Sequence, residues 1–415
     1  MQNMIMFFSG IVFAVLFLFL TYSFLIYIIS WFIFKKIRKF SPHVSVVIPA
    51  YNEEDNIKEC LECVLASSYP KDKLEIIVVD DGSKDSTREI VRSFGRIRLL
   101  RQRHVGKVAA LNYGAKAAKH DFVVTIDADT NIDKDCVAEL VKPFRNPKVG
   151  ATTGNNRVKN RNTIIGMFQN VEYHYNNLIR SSFAKVFAND SIWFSGSMAC
   201  YRKKALAHIM YFKKDTMAED QDVALELKAR NYVIVNTPSA FGYTVVPSSI
   251  ATLYRQRARW SIGTTQAIIK NKKLLSKKMR HPTLFLYISH MWWSIYAFLS
   301  LPLIIYQINY WLPYNSQSIL SLAGYFIRWF TIFGPIYVIY KIPEWGISAY
   351  TIFGVMSGLI TFFMCISAVL AFKDNINWKN LIVILLYFPF TIVLNTFILI
   401  SLLSHRFWMK AHYVK

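Results

Sequence analysis

The stretch "FVVTIDAD" at residues 122–129 joins an apolar, β-branched run to two aspartates. Similar runs precede it, "VSVVIPA" at 44–50 and "LEIIVVDD" at 74–81, with a shorter one, "RIRLLRQ", at 96–102. Segments with helical spacing separate these runs. Strands that are apolar along most of their length and alternate with helices are typical of a parallel sheet covered on both faces. The sequence therefore predicts an α/β fold with a doubly wound, mostly parallel sheet.

Acidic residues stand where two of these strands end. Asp80 and Asp81 end the second run, and Asp127 and Asp129 end the run at 122–129. Ligands of such sheets bind beyond the carboxyl ends of the strands, so these carboxylates mark the expected site. No G-x-G-x-x-G follows the first strand, which argues against a dinucleotide cofactor.

The rest of the chain is unusually apolar. Of the 415 residues 53% are hydrophobic, and residues 4–34 form one run without a charge, long enough to cross a bilayer. Four further candidate spans lie at 283–310, 318–341, 347–372 and 380–404. We predict a transmembrane helix at 1–34, the α/β domain at 35–249, an amphipathic region along the membrane surface at 250–282, and a transmembrane domain of about four helices at 283–415.

The flanking lysines and arginines predict the orientation. "KKIRK" follows the first span and "KNKKLLSKKMRH" precedes the second, which places the α/β domain in the cytoplasm. The loop "KDNINWK" at 373–379 would then be external. The net charge of +23 fits contact with an anionic lipid bilayer rather than with nucleic acid.

Three motifs carry candidate chemistry. Asp127 and Asp129 are hard oxygen ligands suited to Mg²⁺ or Mn²⁺, although a solvated acidic loop would look the same. "AEDQD" at 218–222 could supply a general base, or could only complement a helix dipole. In "YRQRARW" at 254–260, Arg259 could bind phosphate oxygens and Trp260 could stack on a sugar ring. Together they suit transfer from a nucleotide sugar, which needs a metal, a base and a cation for the leaving diphosphate.

The ordered set "VVDDGS", "HVGKVAALN", "TIDADT", "FSGS", "AEDQD" and "QRARW" resembles the processive family-2 glycosyltransferases, the synthases of cellulose, chitin, hyaluronan and poly-N-acetylglucosamine. The similarity covers about 44–262, and the stretch "TTGNNRVKNRNTIIGMFQNVEY" is most similar to the poly-N-acetylglucosamine branch. It implies a GT-A-type sheet inserted between transmembrane helices of a multi-pass cell-membrane protein. It also implies inverting polymerisation of a UDP-sugar, most closely UDP-N-acetylglucosamine.

The resemblance also implies roles for single residues. Asp220 would be the general base beside Glu219, and Asp129 with Asp127 would hold Mg²⁺ or Mn²⁺. The acceptor would contact Ser195, Gly196, Ser197 and Trp260. The UDP-sugar donor would be bound by a larger set: Pro49, Tyr51, Glu53, Asp80, Asp81, Lys107, Asp127, Gln256, Arg257 and Arg259. Which of Asp80 and Asp81 contacts uridine is left open.

Two departures and two alternatives accompany this interpretation. Ala218 stands where the family usually has threonine, and Gln221 stands where hyaluronan synthases have arginine, which argues against hyaluronan. The acceptor is either the growing glycan or a lipid, and a non-processive enzyme that adds one sugar to a lipid is the main alternative. A small membrane or export subunit is compatible with the resemblance. His290, Trp292, Trp293 and Arg328 lie in or near the predicted bilayer and suggest a channel that exports the polymer. The alternative is that they are aromatic residues at the membrane interface and an arginine that extends to it, which fits Arg328 equally well.

Overall fold

The computed structural model of the chain describes residues 2–33, 39–188, 190–273, 281–311, 318–372, 374 and 378–404. An eight-stranded sheet forms the centre of the α/β domain. Its strands are β1 (Val44–Ala50), β2 (Leu74–Asp80), β3 (Arg98–Arg101), β4 (Phe122–Ile126), β5 (Thr130–Ile132), β6 (Val149–Val158), β7 (Met198–Arg202) and β8 (Val233–Thr244).

Fifteen helices are described. They are α1 (Gln2–Trp31), α2 (Ile57–Leu65), α3 (Thr87–Arg92), α4 (Lys107–Ala117), α5 (Cys136–Val141), α6 (Ile164–Val186), α7 (Lys203–His208), α8 (Glu219–Ala229), α9 (Ile250–Lys270), α10 (His281–Trp311), α11 (Ile319–Phe330), α12 (Phe333–Trp345), α13 (Ala349–Ala371), α14 (Trp378–Leu385) and α15 (Tyr387–Leu403). Short 3₁₀ turns cover Lys71–Lys73 and Lys142–Arg145.

The strand order is β3-β2-β1-β4-β7-β6-β8-β5. Strands β3, β2, β1 and β4 run parallel, as the alternating pattern predicts. Strand β7 lies antiparallel between β4 and β6, β6 and β8 are parallel, and β5 is antiparallel to β8. The prediction of a mostly parallel α/β sheet is therefore confirmed, with β7 and β5 as the antiparallel exceptions.

Both faces of the sheet are covered, which explains why its central strands lack polar alternation. On β1, Val46 and Ile48 pack on one side with α2 and α5, while Val47 packs on the other side with α4 and α8. All seven residues of β1 are buried. Because the strands cannot turn a polar face to water, the carboxyl ends of the sheet are where the polar side chains collect.

Within the described residues, three helices are long and apolar enough to cross a membrane, at Phe7–Trp31, His281–Pro302 and Thr351–Ala371. Two further pairs of helices are each bent at a short break, α11 and α12 by 86° and α14 and α15 by 55°. If each bent pair is taken as one span, the number of candidate spans rises to five. The sequence predicted each of these pairs as one continuous span, and the structure breaks both. The domain boundaries at 34, 249 and 282 remain predictions.

The basic flanks used to predict orientation fall largely at 34–38, 274–280 and 405–415, outside the described residues. One loop can still be tested. Asp374, between α13 and α14, accepts hydrogen bonds from Arg161, at 3.1 and 3.0 Å, and from Asn170, at 2.8 Å. Its carboxylate also lies 2.9 Å from His174 Nε2. These partners belong to the α/β domain and α6, so Asp374 lies on the same side as that domain. At Asp374, the prediction that the loop is external while the domain is cytoplasmic was therefore wrong.

Candidate active site

Two acidic residues that are far apart along the chain, Asp127 and Glu219, both lie close to the side-chain ammonium of Lys107. Asp127 follows β4, Lys107 is the first residue of α4, and Glu219 begins α8. Lys107 Nζ lies 2.7 Å from Asp127 Oδ1 and 3.5 Å from Glu219 Oε1. Burial alone would lower the pKa of Lys107, but the charges of Asp127 and Glu219 outweigh burial and raise it. The predicted acid clusters at 127–129 and 218–222 thus share a single site.

Asp129, the predicted metal ligand, lies close to the carboxylate of Asp127. Burial, and after it the charge of Asp127, raises the pKa of Asp129, and its Oδ1 accepts a hydrogen bond of 3.1 Å from Thr130. A divalent cation would relieve the repulsion between these two carboxylates. Among the described residues no group of three or more His, Cys, Asp or Glu side chains is arranged to hold a metal. Mg²⁺ commonly binds through one or two protein carboxylates, with phosphate oxygens and water as the other ligands. The assignment of Asp129 and Asp127 to Mg²⁺ or Mn²⁺ remains a prediction.

Asp220 is held at the start of α8 by two backbone amides. Gly196 N donates to Oδ2 at 2.7 Å, and Gln221 N donates to Oδ1 at 2.7 Å. A side chain at position 196 could not fit, because a Cβ there would lie 2.8 Å from Asp220 Cβ. Burial and the neighbouring Glu219 raise the pKa of Asp220 to about 6, although Lys107 opposes them. A carboxylate with this pKa can accept a proton near neutral pH.

The predicted acceptor segment, Ser195 to Ser197, is held in a network of short polar bonds. Asn156 Nδ2 donates to Ser195 Oγ at 2.9 Å, and Ser197 Oγ donates to Asn156 Oδ1 at 2.7 Å. Thr153 Oγ1 donates to Ser195 O at 2.9 Å. The segment is therefore fixed directly beside Asp220, and its contact with an acceptor remains a prediction.

Asp80 and Asp81 both have protein partners at the end of β2. Asp80 accepts from Ser83 N and Arg88 Nε, both at 2.9 Å. Asp81 accepts from Gln102 Nε2 at 2.5 Å, Val105 N at 3.0 Å and Gly106 N at 2.8 Å. Burial alone would raise the pKa of Asp81, but these hydrogen bonds lower it.

Asp81 also shapes the site through the backbone. It holds Gly106, which has a φ of +103° that favours glycine and directly precedes Lys107. Asp81 thereby helps to place the Lys107 ammonium. Contact of Asp80 or Asp81 with uridine remains a prediction, and the choice between them stays open.

The other residues predicted to bind the UDP-sugar lie in β1 or just after it. Pro49 lies within β1, and the Tyr51 ring stacks on the His104 ring with centroids 3.9 Å apart. Burial raises the pKa of Glu53, and the charges of Asp129 and Asp127 add to this, against a hydrogen bond from Asn56. Glu53 therefore lies near the metal-binding candidates.

Helix α9 presents the predicted Q-x-x-R-W residues. Gln256 Oε1 is buried and has no hydrogen-bond partner among the described residues, which suits a donor group on a ligand. The Arg259 side chain is exposed, and Trp260 is 37% exposed. Arg257 differs from Arg259 because its two terminal nitrogens donate to Glu172 at 2.9 and 2.8 Å. Its assignment to the donor stays a prediction, and Glu172 would compete with phosphate for it.

One cavity of about 890 Å³ joins these groups. Its lining includes Lys107, Asp127, Asp129, Glu219 and Asp220, the acceptor segment, and Gln256, Arg257, Arg259 and Trp260. Pro49, Tyr51, Glu53, Asp80 and Asp81 are outside that lining and lie at the ends of β1 and β2. The cavity continues between the apolar helices, where Trp293 lines it, whereas His290, Trp292 and Arg328 are not among the described lining residues.

Sequence reasoning missed the contribution of α6. Glu172, Asn176 and Arg180 all line the cavity. Arg180 Nη2 donates to Gly154 O at 3.1 Å, while its Nε has no hydrogen-bond partner in the part of the chain that the structure describes. The three residues recur every four positions, which places them on one face of a helix. That spacing of polar residues in an otherwise buried helix was the signal that could have found them.

The comparisons with known proteins agree with this geometry. Residues 45–210 match the family described as Glycosyl transferase family 2. Poly-beta-1,6-N-acetyl-D-glucosamine synthase from Staphylococcus aureus (strain MSSA476) is 34% identical over 245 residues, which are 58% of this chain and 58% of that protein. The synthase of the same name from Staphylococcus epidermidis (strain ATCC 35984) is 34% identical over 234 residues, 55% of this chain and 56% of that protein. The matched region thus spans a little over half the length of these relatives.

A solved structure shares the fold along the chain. The mannosyltransferase from Pyrobaculum calidifontis in complex with GDP-Man and Mn²⁺ superposes with a TM-score of 0.61 at 20% identity, covering 97% of this chain and 99% of that one. At this identity the likeness concerns the fold. Residues 45–210 are therefore a family-2 glycosyltransferase domain, carried in a chain that is similar to the poly-β-1,6-N-acetyl-D-glucosamine synthases over a longer stretch than the domain itself.

Proposed function

We propose that the protein is a membrane-embedded, inverting glycosyltransferase that polymerises N-acetylglucosamine from UDP-N-acetylglucosamine. The observation that carries the proposal is the shared cavity, because Asp220, Asp129, Arg259 and Trp260 all line it. Its volume of about 890 Å³ lies in the range of small-molecule and cofactor sites. The names of the staphylococcal relatives support N-acetylglucosamine as the sugar.

The donor would bind with its diphosphate near the ends of β4 and α9. Mg²⁺ or Mn²⁺, held by Asp129 and Asp127, would neutralise the diphosphate charge, and the complex of the Pyrobaculum enzyme with Mn²⁺ supports a divalent metal. Arg259 and Lys107 supply further positive charge where the leaving group forms. Uridine would lie toward Tyr51 and either Asp80 or Asp81.

Transfer would proceed in one displacement. Asp220 takes the proton from an acceptor hydroxyl, the hydroxyl oxygen bonds to the anomeric carbon, and the bond from that carbon to the diphosphate oxygen breaks. Asp220 is suited to this because both its oxygens are oriented by backbone amides. The acceptor sugar would stack on Trp260, next to the segment from Ser195 to Ser197.

The same cavity supports export of the product. Between the apolar helices it is lined by Thr331, Ser357, Thr391 and Asn395. Polar groups are costly within a bilayer and often line a pathway. In sealed vesicles with the α/β domain outside, we expect labelled polymer to accumulate in the lumen, and product found only on the outer side would exclude export.

The chemistry is tested by Asp220→Asn. We expect sugar transfer from radiolabelled UDP-N-acetylglucosamine to fall on the order of 10³-fold, because general-base catalysis contributes about 10² to 10⁴. Binding of UDP with Mn²⁺, measured by calorimetry, should stay near normal. Asp72→Asn, an exposed residue in a 3₁₀ turn, is the matched control. Near-normal turnover by Asp220→Asn would overturn the assignment of the base.

The length of the product separates polymerisation from a single transfer to a lipid. A ladder or smear of long glycan on a gel is expected for the polymerase, whereas one glycolipid band would favour the lipid-acceptor enzyme. A panel of UDP- and GDP-sugars in the same assay, read by the released nucleotide, identifies the donor.

A further inference from the structure

Glu172, Arg257 and Trp260 form a stacked unit on the wall of the cavity. Glu172 lies on α6, and the other two lie three residues apart on α9. Both carboxylate oxygens of Glu172 accept from Arg257, at 2.9 and 2.8 Å, and both side chains are about nine-tenths buried. The Arg257 guanidinium carbon stands 4.5 Å from the centroid of the Trp260 ring.

This arrangement fixes the plane of the guanidinium. A bidentate pair with a carboxylate leaves Arg257 little freedom to rotate. Its flat face can then cover one side of the indole, which favours a cation over the ring. The Trp260 ring remains partly exposed, so a ligand in the cavity can stack only on the part that Arg257 leaves open.

We propose that Glu172 and Arg257 are positioning residues that orient Trp260 toward the acceptor sugar, and that Arg257 does not bind the donor diphosphate. The inference rests on the proposed function, because it assumes an acceptor sugar on Trp260. It divides the arginines of "QRARW" between two tasks. Arg259 is left to the diphosphate, while the charge of Arg257 is already balanced by Glu172.

The two roles for Arg257 predict opposite effects of one substitution. If Arg257 served the donor, Glu172→Gln would release its charge toward phosphate and lower the donor KM. If Arg257 positions Trp260, the same change loosens the guanidinium and raises the acceptor KM, while the donor KM stays the same.

The experiment measures initial rates of the purified full chain while UDP-N-acetylglucosamine and a soluble N-acetylglucosamine oligosaccharide are varied separately. We expect Glu172→Gln and Arg257→Gln to raise the acceptor KM about tenfold, with the donor KM changed by less than about twofold. Arg257→Lys, which keeps the charge, should restore part of the loss. Arg98→Gln, which removes an arginine paired with Glu75 at the sheet edge, is the control and should change neither KM.

Removing one partner of a buried ion pair leaves an uncompensated charge and can prevent folding. The double variant Glu172→Gln with Arg257→Gln removes both charges and should fold while retaining the raised acceptor KM. The inference is overturned if the double variant has a normal acceptor KM, or if Glu172→Gln lowers the donor KM. By contrast, unaltered protein that transfers from none of the nucleotide sugars would overturn the proposed function itself.

Discussion

Among single residues, the adjacent carboxylates of Glu219 and Asp220 differ because their neighbours differ. Burial alone would raise the pKa of both side chains. At Glu219 the charges of Lys107 and Arg259 outweigh burial and hold the pKa below its ordinary value. At Asp220 burial and the charge of Glu219 dominate, and its pKa is about 6. One carboxylate thus stays ionised beside the lysine while the other can exchange a proton.

The pH dependence of transfer follows from Asp220. The base must be ionised, so activity is expected above its pKa and is lost as the pH falls through about 6. A plot of kcat/KM against pH for UDP-N-acetylglucosamine should show this rising limb. A profile that stays flat down to pH 4 would contradict the role of Asp220.

The charge of Arg180 should affect the pH at which kcat/KM rises. Burial lowers the pKa of Arg180 to about 10, so its guanidinium is charged at neutral pH, and Asp220 is close enough to feel the charge. Removing the charge in Arg180→Gln should raise the pKa of Asp220 and move the limb upward by about one pH unit. Arg180→Lys should move it less, whereas a merely structural loss would lower the rate equally at every pH.

At the scale of helices and strands, α9 is held against α8 and the residues just before it by a hydrogen bond and ion pairs. Gln266 Oε1 accepts from Met217 N at 2.9 Å, and Lys270 Nζ lies 2.6 Å from Asp222 and 2.8 Å from Glu226. The sequence predicts α9 as an amphipathic helix along the membrane surface. It could not show that α9 also contacts the turn that carries Glu219 and Asp220, because that contact depends on residues far apart along the chain.

Gly263 is the closest point of that contact. A Cβ at position 263 would lie 2.6 Å from Ala218 N and 2.8 Å from Ala218 Cβ. We expect Gly263→Val to push α9 away from α8, to cost about 1–3 kcal/mol of unfolding free energy, and to abolish most transfer. Thermal unfolding and the transfer assay check this, and Gly95→Val, where a Cβ meets nothing within 4 Å, should leave both near normal.

At the scale of the whole molecule, the position of Asp374, between α13 and α14, constrains how the apolar helices can cross a membrane. Asp374 lies against the α/β domain, so α13 ends, and α14 begins, on the side of that domain. A single crossing by α10 and a return by α13 would satisfy this, with the bent pair α11 and α12 between them on the opposite side. The two lysines of "KDNINWK" also favour the side of the membrane on which the α/β domain is predicted to lie.

Cysteine labelling tests this arrangement in intact cells. In a variant lacking the five native cysteines, Trp378→Cys and Ser318→Cys each introduce an exposed position, at the start of α14 and before α11. A membrane-impermeant thiol reagent should label Ser318→Cys directly and Trp378→Cys only after permeabilisation. Labelling of Trp378→Cys in intact cells would contradict the topology.

Local patterns predicted most of the domain, and long-range packing supplied what they missed. The strands at 44–50, 74–81 and 122–129 were predicted because burial on both faces leaves a continuous apolar run. The antiparallel β7 was not, since no local pattern records which strand a segment joins. The helix breaks near Thr331 and Leu386 were missed because hydropathy measures only the length of an apolar segment. It does not show whether the helix axis changes direction within that segment. Glu172 was missed because its partner lies 85 positions later.

The Asp374 contact also has a consequence for biosynthesis. The chain is made from its amino end, and its domains generally fold in that order. Until residue 374 has left the ribosome, Arg161, Asn170 and His174 lack the carboxylate that joins them in the finished protein. A chain that stops before α13 is complete would therefore leave these three side chains of the α/β domain and α6 without the carboxylate that they share in the finished protein.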